Sequence, residues 1–242
     1  MKRFIFSVSV MVIVLLTSLA AIAQQGKWAG LVKYKMEWKG NVPQNMPTDW
    51  EVKVFENTLS HADLATFGQL GKVIVNANNK TITYTFDFSL LPDEGPTEGM
   101  SGKWYVRNKI DDEKLQKVLE KIKYEYTGNT KEIAGLTCQE VKCTAKDEEG
   151  VETSEIIYVT KELGPVTDLE YYPGLDAFPM EYLYEVSSDL SATFTVVDLQ
   201  KGKVKDVDVM IDSGYEEISQ EDFSEMMKVL FGTGGEGDEN DM

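Results

Sequence analysis

Apolar and polar residues alternate with period two along most of this chain. In LVKYKMEWK (31–39), Val32, Tyr34, Met36 and Trp38 fall on one side and Lys33, Lys35, Glu37 and Lys39 on the other. Successive side chains of a strand point to opposite faces, so the pattern predicts a strand with one buried face. WEVKV (50–54) repeats it with Trp50, Val52 and Val54. TITYTFDF (81–88) sets Ile82, Tyr84, Phe86 and Phe88 against threonines and Asp87. GKVIV (71–75) and the turn NANNK (76–80) precede it and complete a hairpin signal. Asn78 and Asn79 tolerate the left-handed backbone of a tight turn. LTCQEVKCTA and VETSEIIYVT flank KDEEG, a second hairpin closed by Gly150. MEYLYEV (180–186) places Met180, Tyr182, Tyr184 and Val186 on one face. SATFTVV and VKDVDVMI, joined by DLQKGK, predict a third hairpin. These connections are short, and none is the helical crossover that a parallel sheet needs.

Two stretches change period. In DDEKLQKVLEKIK (111–123), Leu115, Val118, Leu119 and Ile122 recur at i, i+3, i+4 and i+7, one apolar stripe of a helix. Asp111 and Asp112 favour its positive N-terminal end. In ISQEDFSEMMKVLFG (218–232), Phe223, Met226, Met227 and Leu230 repeat the spacing. Ser219 is the expected N-cap, Ile218 the partner of a hydrophobic staple to Phe223, and Gly232 the stop. The expected class is α+β and mainly β, an antiparallel sheet with two apolar-striped helices on one side.

The ends differ from this middle. MKRFIFSVSVMVIVLLTSLAAIAQQ opens with Lys2 and Arg3, continues with an apolar run to Leu16, and reaches the small-x-small site Ala21-Ile22-Ala23. That is the form of a secretory signal peptide over residues 1–23, cleaved near Ala23, and the run is short of the roughly 20 apolar residues of a membrane span. A periplasmic or secreted mature chain without a transmembrane segment is expected. GTGGEGDENDM (232–242) is acidic and glycine-rich and reads as a disordered tail. Residues 24–231 remain as one domain. The net charge of −17 becomes still more negative without Lys2 and Arg3, which disfavours nucleic acid and anionic membrane surfaces as partners.

Candidate chemistry is sparse. Cys138 and Cys143 are the two cysteines, on a segment with no turn former between them. Five residues of strand cover roughly 17 Å, whereas a disulfide needs Cα atoms within about 7 Å. The odd spacing also sends the side chains to opposite faces. Two buried free thiols are expected, with Cys143 the better core candidate beside Val141 and Ala145. His61 is the one histidine, and Cys-x-x-Cys is absent, so no metal site or cofactor is predicted. Ser60 and Asp63 lie too close to His61 in sequence for a catalytic triad, which assembles across a fold. Neither a Gly-x-Ser-x-Gly elbow nor a phosphate loop occurs, so no enzyme activity is predicted.

Aromatic and methionine residues carry more information. Tyr34, Met36, Trp38, Tyr84, Phe86, Tyr182 and Tyr184 share predicted strand faces with apolar neighbours. Together with Phe223, Met226, Met227 and Leu230 of the last helix they are the expected lining of an adaptable apolar cavity between sheet and helices.

Three stretches, KEIAGLTCQEVKC (131–143), GLDAFPMEYLYE (174–185) and DSGYEEIS (212–219), give the chain a likeness over most of residues 29–231. It resembles exported domains related to the periplasmic lipoprotein carriers LolA and LolB. That resemblance implies an open antiparallel half-barrel whose concave face is covered by helices, with an apolar cavity able to hold acyl chains. The expected function is an exported cell-envelope protein that binds a lipid-like, apolar or amphiphilic ligand. The alternative is a non-catalytic structural or interaction module with an envelope protein as partner.

Overall fold

The computed structural model describes residues 28–62, 70–91, 101–147, 149–164 and 172–231, with residues 229–231 described by backbone only. The segments expected to be a signal peptide and a disordered tail, with Gly232 and the side chain of Leu230, lie outside the described residues. Among those described, the chain is mainly β, with one open, curved sheet and two helices.

The sheet has twelve strands in the order β12-β6-β5-β4-β3-β2-β1-β11-β10-β9-β8-β7. Strands β1 (Ala29–Gly40), β2 (Asp49–Phe55), β3 (Thr58–Ala62), β4 (Gly71–Asn76), β5 (Thr81–Asp87) and β6 (Lys103–Lys109) form one meander. Strands β7 (Ile122–Ile133), β8 (Leu136–Lys146), β9 (Glu152–Thr160), β10 (Phe178–Ser187) and β11 (Leu190–Lys201) form a second. The two halves join where β1 pairs antiparallel with β11. Strand β12 (Glu216–Glu217) adds a short parallel pairing to β6 at one edge. Alternation in β1 is realised as expected: Val32, Tyr34 and Met36 are buried, and Lys35, Glu37 and Lys39 are exposed. The second half curls strongly. In a flat sheet β7 and β11 would lie roughly 19 Å apart at about 4.8 Å per strand, yet they approach within 8 Å Cα to Cα.

The first helix, α1 (Asp112–Leu119), is shorter than its stripe. Asp111 caps it by accepting from the amides of Glu113 and Lys114 at 2.8 and 3.1 Å. Ile122 belongs to β7, paired with Ala145, because a long antiparallel hairpin captures the chain after Glu120. None of the helix is fully buried, and Val118 is 43% exposed. The second helix, α2 (Gln220–Phe231), starts as expected, with the Asp222 amide donating to Ser219 Oγ at 3.0 Å. Ile218 and Phe223 share one cluster.

Two turns differ from their sequence signals. In NANNK the left-handed residue is Lys80 (φ 51°), while Asn76 Oδ1 accepts from the Asn79 amide at 3.0 Å. The proposed third hairpin does not form: DLQK continues β11, and Asp206–Val209 is a single 3-10 turn laid over β2 and β3. Val204 and Val209 are buried there, so that apolar alternation served a strap and not a strand. Strand β11 instead forms its hairpin with β10, closed at Ser187–Leu190. Gly40 (φ 97°) lets β1 meet this turn, since a Cβ would stand 1.8 Å from the Asp189 carbonyl oxygen. Gly40→Ala therefore costs about 2–4 kcal/mol, strain and overlap together, measured by urea unfolding.

Candidate functional site

The predicted lining residues divide into a packed part and a half-buried part. At the β1–β11 junction, register places Tyr34 between Trp50 and Val196, and Phe194 between Met36 and Tyr182. Rings fill the space: Tyr34 lies 5.4 Å from Trp50, 5.9 Å from Tyr182 and 6.2 Å from Phe194, and Tyr182 stacks on Phe194 at 5.1 Å. The Tyr34 hydroxyl donates to the Pro179 carbonyl at 2.8 Å. Tyr34 and Met36 are 2% exposed and Tyr182 8%, so at this point the concave face is solid core. Trp38 and Tyr184 are half-buried at its margin, Trp38 held by its indole N–H donating to the Pro47 carbonyl.

A second cluster lies at the β5–β6 edge under α2. Phe86, Phe88 and Val106 are buried, and Phe223, Met226, Met227, Trp104 and Ile218 pack around them partly exposed. Phe223 stacks on Phe86 at 5.0 Å with planes 18° apart. Tyr84 is half-buried and touches both clusters, so it is the bridge between them. Helix α2 reaches this position through a slender connection. Strand β12 contributes two paired residues, the Ile218 amide donates to the Tyr105 carbonyl at 2.9 Å, and Gln220 bonds Asn108.

The third feature is a cavity of about 660 Å³ between β9 and β10. These strands pair only from Tyr158–Thr160 to Phe178–Glu181. Pro179 has no N–H to give the ladder, and register shifts between Pro179 and Glu181, so the strands part beyond it. Thr153–Ile156 of β9, Tyr182–Glu185 of β10, and Cys143, Ala145 and Tyr172 line the opening. Tyr172 is pinned by its loop. Tyr124 donates to the Pro173 carbonyl at 3.1 Å, and Asp176 takes Lys161 at 2.7 Å and the Tyr126 hydroxyl. Tyr172 meets Tyr182 edge-on at 5.7 Å and hydrogen-bonds Glu155. Burial holds the Glu155 carboxyl above its ordinary range, opposed by the Tyr172 hydrogen bond and reinforced by the charge of Glu185.

Both cysteines are on β8, buried and unbridged. Cys138, fully buried, is more enclosed than Cys143, which is 7% exposed at the cavity wall. Burial pushes both thiols up to about 11, so neither is a ready nucleophile at neutral pH. Among the described residues no group of three His, Cys, Asp or Glu is placed to hold a metal ion, and no helix is long and apolar enough to cross a membrane.

No protein-family model and no curated protein matches this chain. Sequence reasoning missed Glu155, Ile156 and Leu183 at the cavity. The available signal was Pro179, a residue that a central strand tolerates only at a bulge or an edge.

Proposed function

We propose that this exported chain binds an apolar or amphiphilic, lipid-like ligand on its concave face in the cell envelope, with α2 as a movable cover. The observation that supports this is the half-buried seam of Tyr84, Trp104, Phe223, Met226 and Met227 between helix and sheet. Its aromatic and thioether groups are adaptable and incompletely packed. The tether through β12 is two residues long, so opening the seam breaks few main-chain hydrogen bonds. An acyl chain entering there slides between Met226 or Met227 and the Phe86–Phe88 platform. Tyr34, Met36, Phe86 and Tyr182 form the rigid floor.

A fluorescent fatty-acid probe tests this. Truncating a tightly packed Met costs about 2–5 kcal/mol, but these two are partly exposed, so Met226→Ala and Met227→Ala each cost at or below about 2 kcal/mol. Both variants shift probe uptake severalfold. Val52→Ala and Val141→Ala, which remove side chains 3% and 0% exposed, act on stability and leave uptake per folded molecule unchanged. Absence of uptake by the wild type, with unfolding of both methionine variants, defeats the proposal.

A further inference from the structure

The parting of β9 and β10 leaves two strand edges facing each other across a solvent-open space. Beyond Tyr158, β9 is registered with β8 alone among the described residues, and beyond Glu181, β10 is registered with β11 alone. Consecutive residues line the space on both sides, Ser154, Glu155 and Ile156 on one and Leu183, Tyr184 and Glu185 on the other. Neighbouring side chains of a strand point to opposite faces. A space touched by consecutive residues therefore reaches the strand edges, while Cys143 and Ala145 of β8 show that it also extends over one face beside Thr153 and Glu155. Glu152–Ile157 and Tyr182–Ser187 each present an edge of about 20 Å, at roughly 3.3 Å per residue.

An exposed edge is a template for another strand, and proteins whose edges stay open use them to capture extended peptides. The lining decides which peptide. Glu155 and Glu185 are its charged members, and it contains no Lys, Arg or His. Glu155 is half-buried, and its charge is disfavoured by burial and by Glu185. A cation arriving between these carboxylates relieves both penalties. A second copy of the chain, at net charge −17, is repelled. Ile156 and Leu183, 47% and 37% exposed, provide apolar contact for alternate side chains. Tyr172 and Tyr184 add ring faces that suit ammonium or guanidinium groups.

We propose that the gap between β9 and β10 is a docking slot for an extended, basic segment of a partner protein, held by main-chain hydrogen bonds to the strand edges and by its lysine or arginine side chains at Glu155 and Glu185. The inference stands apart from the lipid reading: the slot shares Tyr182 with the floor of that site but no residue with the seam under α2.

The test uses the full chain and three fluorescein-labelled hexapeptides in about 150 mM salt, a concentration that screens non-specific attraction to an acidic surface. The first alternates Val and Lys. The second alternates Val and Glu. The third is the Val/Lys peptide methylated on alternate amide nitrogens. Anisotropy is expected to show binding of the first peptide at least tenfold tighter than of the other two. Glu155→Gln and Glu185→Gln each weaken it severalfold, whereas Glu37→Gln, on the exposed side of β1, leaves it unchanged. Met226→Ala leaves it unchanged as well, which separates failure of this proposal from failure of the lipid reading. Equal binding of the methylated peptide overturns the strand-edge mode. Equal binding of the Val/Glu peptide overturns the charge argument. Binding of dodecyltrimethylammonium that Glu155→Gln abolishes, with no binding of any peptide, also overturns the proposal and makes the gap a pocket for a small cation.

Discussion

Phe86→Ala is expected to destabilise the protein by about 3–5 kcal/mol, the range for a buried aromatic truncated to alanine. Phe86 is 1% exposed and sits opposite Gly71 on β4 and Trp104 on β6. The glycine leaves room for the ring, so no neighbouring side chain on β4 closes the void when the ring is removed. Phe223 stacks on it from α2, and Phe88 lies 6.1 Å away. Loss of the ring thus removes a core residue and the platform of the helix together. Urea unfolding measures the first effect. A double-mutant cycle with Phe223→Ala measures the second, with a coupling of about 0.5–1.5 kcal/mol for a stacked pair. A cost below about 1 kcal/mol for the single variant means that the second cluster is loosely filled, and zero coupling means that α2 does not depend on this contact.

Tyr34→Ala is expected to cost a similar 3–5 kcal/mol, and Tyr34→Phe separates the ring from its hydroxyl. Three rings touch Tyr34, and its hydroxyl crosses to the Pro179 carbonyl. Phenylalanine keeps the packing but leaves a buried carbonyl unsatisfied, a loss of about 1–3 kcal/mol. The hydroxyl also ties β1 to the point where β9 and β10 begin to part. Amide exchange in Tyr158–Thr160 and Phe178–Glu181 therefore quickens in Tyr34→Phe more than exchange in β2–β4. Unchanged stability in Tyr34→Phe would show that the Pro179 carbonyl finds another donor.

Where side-chain alternation was long, the strands were legible. β1, β2, β4, β5, β8, β9, β10 and most of β11 fall where the period-two pattern places them. Strands β3, β6, β7 and the two-residue β12 were missed. β3 (TLSHA) has no clean alternation, and β7 (IKYEYTGNTKEI) is exposed along most of its length, so no buried face marks it. Its turn was written in Ala134-Gly135, both with positive φ, a two-residue hairpin connection. The 204–211 segment misled because alternation reports which side chains are buried, not whether the backbone pairs. The site followed the same division. Strand faces told which residues turn inward, but whether they enclose a void depends on how rings from distant strands meet. Tyr34, Tyr182 and Phe194 come from positions far apart in sequence, and together they close the space that each alone leaves open.

By itself the sequence determined the class of the protein: mostly strands, antiparallel, one face apolar, with a capped amphipathic helix at the end of the described chain. Those properties are local, since side-chain period, turn chemistry and capping act over a few residues. Tertiary structure decided the rest. It made the concave face solid at the β1–β11 junction and half-open under α2. It curled β7 back toward β11, and it let β9 and β10 separate after Pro179. A gap between strands is a property of two edges at once, and no periodicity along either strand encodes the distance between them.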